Sequence, residues 1–144
     1  MNARSIDISR RSNVIEKFEI TCIILNENFN IVALSEIWLN ASIPNHLFDI
    51  PSFCPLSRFD RSDGRRADGV AMSVSSEFAP RKRFDFETNE FELLWLEVQI
   101  NSLTLLCGVC YRPEYASNEM NIRFLENLQS CVDKINQMMA LAIR

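Results

Sequence analysis

Glu36 closes an otherwise apolar stretch, Ile31-Val32-Ala33-Leu34-Ser35, and Tyr111-Arg112-Pro113 closes another. Ligand sites in α/β proteins gather where strands end at the carboxyl edge of the sheet, and a carboxylate there invites a cation. Position alone leaves Glu36 open to a second reading, a solvated acid beside a buried strand. At Tyr111-Arg112-Pro113, the proline fixes the backbone just after an arginine able to grip a phosphate and a phenol able to donate a hydrogen bond. The alternative is a half-buried strand tyrosine beside a surface arginine. Residues 58–66 hold four arginines, Arg58 and Arg61 among them, against two aspartates, and Arg81-Lys82-Arg83 adds three more cations. Such loops either hold backbone phosphates of a nucleic acid or are simply solvated.

Two other groupings point away from chemistry. Cys107-Gly108-Val109-Cys110 has the spacing of zinc knuckles and thiol redox sites. On a strand, residues an odd number apart face opposite sides, so these thiols could share neither a metal nor a disulfide unless the strand broke between them. His46 is the only histidine and lies in a proline-bounded loop, which leaves little for a histidine metal site or a Ser-His-Asp triad.

The elements that must position these residues follow from periodicity. Asn13 and Glu16 form a capping pair, and Ile15, Phe18, Cys22, Leu25 and Phe29 recur at helical steps, so a helix is predicted over about 13–28. Ile31 to Leu34 then reads as a strand covered on both faces. A helix leading into such a strand is half of a βαβ unit, which asks for a parallel strand before the helix. Residues 40–69 are turn-rich and read as surface loops. Three strands follow, Gly69 to Ser75, Phe91 to Ile100 and Leu103 to Tyr111, predicted as one meander with Asn101-Ser102 as a hairpin turn. A second helix starts near Asn118 with Phe124, Leu128, Cys131, Val132, Ile135 and Met139 along one face, and Met138 to Ile143 reads as the entry to another strand.

Composition bounds the function classes. With 144 residues, 47% apolar, 24% charged and only 3 Gly and 5 Pro, the chain is an ordinary folded domain, not a disordered or collagenous one. The net charge of −4 gives no global drive toward nucleic acid, so any polyanion site must be local. Five cysteines, an odd number scattered through apolar stretches, read as small core residues in a reducing compartment. No apolar run approaches the ~18 residues that span a bilayer, and no leader pattern is present, so an intracellular protein without a membrane partner is expected.

Taken in order, the short motifs form a pattern: Asn2-Ala3-Arg4-Ser5-Ile6, Ser35-Glu36-Ile37-Trp38-Leu39, Arg58 through Arg61 leading to Asp68-Gly69-Val70-Ala71, Leu94-Trp95-Leu96, and Gly108-Val109-Cys110-Tyr111-Arg112-Pro113. Their order and spacing, across nearly the whole chain, resemble the endonuclease domain of non-LTR (LINE-type) retrotransposons. That domain belongs to the endonuclease/exonuclease/phosphatase superfamily, which includes apurinic endonucleases. The resemblance implies an α/β fold, part of a two-sheet β-sandwich flanked by helices in four αββα layers, and a phosphodiesterase that nicks DNA with Mg²⁺ or Mn²⁺. By the same resemblance Glu36 is the metal-ligating glutamate, Asn2 the asparagine supporting that metal site, and Tyr111 the tyrosine beside the scissile phosphate. Arg112, Arg58 and Arg61 become phosphate or DNA contacts. A reverse transcriptase in the parent polyprotein and nuclear residence are further implications.

The departures from the family pattern matter as much. The Gly-Asp-x-Asn and Ser-Asp-His motifs, which supply the residues that orient the attacking water, do not occur in the 144 residues. The strand expected before Asn2 is also missing, and the glycine-rich turn before Val70 reads Arg65-Arg66-Ala67-Asp68-Gly69. The chain is thus expected to be a single incomplete domain over 1–144, inactive alone and prone to oligomers or aggregates through exposed sheet edges. The alternatives are a non-catalytic retroelement remnant or nucleic-acid-binding module, and, less favoured by the motifs, a phosphatase of the same superfamily.

Overall fold

The computed structural model describes residues 21–37, 39, 41–60, 69–88, 90–112 and 116–142. The chain divides into two compact units, residues 1–111 and 112–144. The first unit carries two three-stranded antiparallel sheets. One has the order β1-β3-β2, with β1 at Ile31–Ser35, β2 at Ser57–Phe59 and β3 at Val70–Val74; the other has the order β4-β5-β6, with β4 at Ala79–Lys82, β5 at Glu92–Ile100 and β6 at Leu103–Tyr111. Residues 21–26, which lead toward β1, are helical and form the described part of α1. The rest of the helix predicted over 13–28 lies largely outside the described residues.

The sheets are joined by one core. Val70, Met72 and Val74 of β3 meet Leu94, Leu96 and Val98 of β5, all essentially inaccessible. Each such side chain contributes about 1.5–3 kcal/mol by leaving water, so this interior dominates the unit's stability. The alternate residues of β3, Ala71 and Ser73, face the other way. Ala71 packs there with Ile37, Leu39, Phe48 and Leu56 in a second cluster, and Ser73 Oγ donates to the Cys54 carbonyl at 3.1 Å. β3 is therefore the strand buried on both faces. β1, predicted for that role, is an edge strand of mostly intermediate exposure, and it pairs antiparallel with β3 in the register Ile31↔Val74 to Ser35↔Val70. No parallel pair occurs among the described strands.

The meander differs from the prediction as well. β3 belongs to the first sheet, and the third strand of the second sheet is β4, which the sequence hides. Its residues, Ala79-Pro80-Arg81-Lys82, combine a proline with charges, a composition tolerated at a sheet edge, where β4 lies. The hairpin is as predicted: β5 and β6 pair from Glu92↔Tyr111 to Ile100↔Leu103, and Asn101 takes the left-handed conformation (φ 55°) that asparagine accepts readily. Segment 40–69, read as surface loop, also contributes β2 and a 3₁₀ turn at Asn45–Phe48.

In the second unit, α2 runs over Asn118–Ala142. Phe124 and Cys131 are its buried positions, with Leu128 and Ile135 half-buried between and beyond them, while Val132 falls off that line at 44% exposed. The predicted strand at Met138 to Ile143 is overturned, because residues 138–142 continue the helix. Met, Ala and Leu are strong helix formers, and helical propensity over this run outweighs its apolarity. The cysteines depart from the core reading too: only Cys131 is buried, and Cys110 is exposed.

Candidate active site

Glu36 stands where β1 ends, between Ser35, still in the ladder opposite Val70, and Ile37, which is 1% exposed in the second cluster. These anchors hold Glu36 half-buried and in the left-handed region, φ 56°. Glycine and asparagine enter that region cheaply, whereas a glutamate there costs about 1–2 kcal/mol. Gly69, across the strand end, has φ 82°, and a Cβ on it would lie 3.2 Å from Ile37 Cγ1 and 3.3 Å from the Phe59 carbonyl oxygen. The Asp68-Gly69 step of the sequence motif thus owes its glycine to both backbone conformation and close packing against the Glu36–Ile37 corner.

Tyr111 closes β6, half-buried and packed against the inter-sheet core. β1 and β6 lie in contact; Glu36 follows the end of β1 and Tyr111 ends β6. Arg112 opens the second unit, exposed, with its Nη1 donating to Asn121 Oδ1 at 2.7 Å. Asn2 and Arg61 lie outside the described residues.

Arg58 is placed elsewhere, on β2. Its Nε pairs with Asp60 at 3.2 Å, with both side chains under 20% exposed. Burial pushes the Asp60 carboxyl up from its ordinary value, against the opposing pull of Arg58 and Lys82. Lys82 of β4 reaches over to donate to the Arg58 carbonyl at 3.2 Å and pairs with Glu87 at 2.9 Å, which ties one sheet to the other at this seam. The neighbouring cations are likewise engaged. Arg81 binds both oxygens of Glu97 at 2.8 and 2.9 Å, and Arg83 binds Glu97 at 2.8 Å and both oxygens of Asp85. Arg83 also lies over the Phe86 ring, 4.7 Å from its centroid. The stretch Arg81-Lys82-Arg83 is therefore neither a solvated loop nor a bare basic patch. One of its acidic partners, Glu97, lies fourteen to sixteen residues away along the chain, where no local sequence signal links it to them.

The remaining sequence candidates behave as their geometry requires. Cys107 and Cys110 sit on one unbroken strand with opposite parity, and partial burial pushes the Cys107 thiol up, away from reactive thiolate. His46 is exposed in the 3₁₀ turn. Among the described residues no three His, Cys, Asp or Glu side chains cluster as a metal site. A single carboxylate at Glu36 is nevertheless compatible with Mg²⁺, a hard ion that takes oxygen ligands and retains several waters. A cavity of about 40 Å³ lies beside the same corner, lined by Ile24, Val32, Leu34, Ile37 and Phe48 among others. Apart from Thr21 and Ser73 its walls are apolar, so it is a packing gap. No helix among the described residues is long and apolar enough to cross a membrane.

A residue that sequence reasoning did not mark is Asn121, whose Oδ1 accepts the hydrogen bond from Arg112. The only signal for it is its place in the first turn of the helix that begins at Asn118. No protein-family model matches the chain, and no curated protein matches it.

Proposed function

We propose that this chain carries the N-terminal part of a divalent-metal-dependent phosphodiesterase site of the kind that nicks DNA during retrotransposition. The observation that carries this reading is Glu36: a carboxylate at a strand end, held in a backbone conformation that glutamate disfavours. Strain of this kind persists only where the surrounding fold imposes it, and it concentrates at working sites. The resemblance of the motifs in order supports the same assignment, and so does the approach of β1 and β6. Two sheets sharing one core, together with helices, support the proposal of a four-layer αββα sandwich.

In this reading Glu36, with Asn2, holds Mg²⁺ or Mn²⁺, Tyr111 hydrogen-bonds the scissile phosphate, and Arg112 neutralises phosphate charge. A bound divalent ion would polarise the phosphoryl group and stabilise the leaving oxygen. The Gly-Asp-x-Asn and Ser-Asp-His motifs are not in these residues, so nicking by this polypeptide alone is expected to be negligible. The test is therefore binding. Duplex DNA should bind more tightly with Mn²⁺ than without, and Glu36→Gln should remove the difference. Glu36→Gly should also lose it while stabilising the fold by about 1 kcal/mol, because the strain is relieved. Binding that is salt-sensitive but indifferent to metal in the unsubstituted chain would instead support a nucleic-acid-binding module.

The proposed partners are DNA, a reverse transcriptase domain of a parent polyprotein, and further copies of the chain, with residence in the nucleus. Association is supported by β6, a nine-residue edge strand without a charged side chain, on which Leu103 is 71% and Leu105 43% exposed. Such an edge lacks the charges that normally block edge-to-edge pairing. Sedimentation at increasing concentration should show species larger than a monomer; a monomer throughout would refute this part.

A further inference from the structure

The cations of the first unit whose partners are defined rest on carboxylates: Arg58 on Asp60, Arg81 on Glu97, Lys82 on Glu87, and Arg83 on both Asp85 and Glu97. Arg112 is held differently. Its Nη1 donates to the side-chain amide oxygen of Asn121, a neutral acceptor, at 2.7 Å. The amide cannot be turned the other way, since a guanidinium only donates, and Asn121 Nδ2 donates to the Ala116 carbonyl at 3.4 Å. Asn121 is itself fixed by the first turn of α2. Its backbone N–H donates to the Ser117 carbonyl at 2.9 Å, and Ser117 Oγ accepts the Met120 N–H at 3.2 Å. Among the described residues no hydrogen bond or ion pair joins Arg112 to Glu119, the acid of that turn.

A carboxylate would both order the arginine and cancel its charge. An amide orders it and leaves the charge intact. An arginine ordered in advance binds an anion without the entropy loss of immobilising a long side chain at that moment. We propose that Asn121 is a positioning residue that orders Arg112 through a neutral acceptor and so presents its charge to a phosphate of the DNA backbone. This rests on the reading of the chain as a DNA phosphodiesterase module and adds to it a residue that does not touch the substrate.

The test uses the full 144-residue chain and a labelled DNA duplex, with affinity read by fluorescence anisotropy across a salt series. Arg112→Ala should weaken binding about fivefold and make the salt dependence shallower by about one phosphate contact. Asn121→Ala should weaken binding, and the double variant should be no weaker than Arg112→Ala alone. Asn121→Asp, nearly isosteric, should keep the tether but compensate the charge, so its salt slope should fall to that of Arg112→Ala. A residue with a merely structural role would not change that slope. Additive losses, or an Asn121→Asp variant with the slope of the unsubstituted chain, would overturn the positioning role while leaving the DNA reading in place. An unsubstituted chain that binds no DNA would overturn the DNA reading, and the positioning role with it.

Discussion

Replacing Gly108 by valine is expected to destabilise the first unit by about 3 kcal/mol, the largest effect of any single substitution considered on this fold. Gly108 is opposite Trp95 in the β5–β6 register, and the indole ring lies across its Cα. A Cβ added there would sit 2.5 Å from Trp95 Cζ3 and 2.6 Å from Cε3, well inside contact distance. The ring can move away only by disturbing its packing against Phe86, whose centroid is 5.9 Å away and which also carries the Arg83 guanidinium. Against a total stability of about 5–15 kcal/mol for a domain, this is a large share. Urea unfolding followed by Trp fluorescence measures it. Shortening Trp95 to leucine in the Gly108→Ala background should recover part of the loss, giving a coupling energy of about 1–2 kcal/mol in a double-mutant cycle. A Gly108→Val variant within 0.5 kcal/mol of the unsubstituted protein would show that the indole does not need the space.

The second large effect is expected at Arg83, whose side chain is 10% exposed and is shared by Asp85 and Glu97. Arg83→Met should cost about 2–3 kcal/mol. That is below the usual loss for a fully buried pair, because Asp85 is 55% exposed and can rehydrate, and Glu97 keeps Arg81. Arg81→Met should cost under about 0.5 kcal/mol, since that side chain is 69% exposed and its pairing is screened. Equal losses at the two positions would refute the distinction. The network also sets a pH limb. The Arg81 guanidinium foremost, then Arg83, holds the Glu97 carboxyl below its ordinary value against the opposing effect of burial. A depressed carboxylate contributes stability that is present above its unfolded pKa of about 4.3 and lost as pH falls through the lower folded value. Acid titration of stability should therefore show a loss below about pH 4 that Glu97→Gln removes. Arg83 is pushed further above an already high value, so it stays charged throughout and adds nothing to this limb.

Both effects lie outside what the motifs alone convey. Gly108 is legible in the sequence as part of a Cys-x-x-Cys and as the start of the Gly108 to Pro113 motif, but its need for glycine arises from an indole thirteen positions earlier on the paired strand. The candidate site divides in the same way. That Glu36 ends a strand and that Tyr111 ends another follow from where apolar runs stop, and the opposite faces of Cys107 and Cys110 follow from strand parity. That Glu36 is strained, that β1 and β6 approach each other, that Lys82 reaches the Arg58 carbonyl and that Arg112 is tied to an amide of the following helix depend on how the elements are placed in space.

Local chemistry accordingly determined the extents of β1, β3, β5, β6 and the start of α2, because hydrophobic period and turn residues act within a few positions. It also determined the β5–β6 hairpin, where a two-residue turn leaves the register little freedom. Tertiary structure alone decided which strands share a sheet. β3 leaves the predicted meander because its two apolar faces are each covered by a different layer, and β4 joins the sheet through an edge that tolerates proline and charge. It also decided the fate of the charges. A carboxylate or an amide reaching an arginine from another element changes what that arginine can do, and such pairings form only when the backbone brings the elements together.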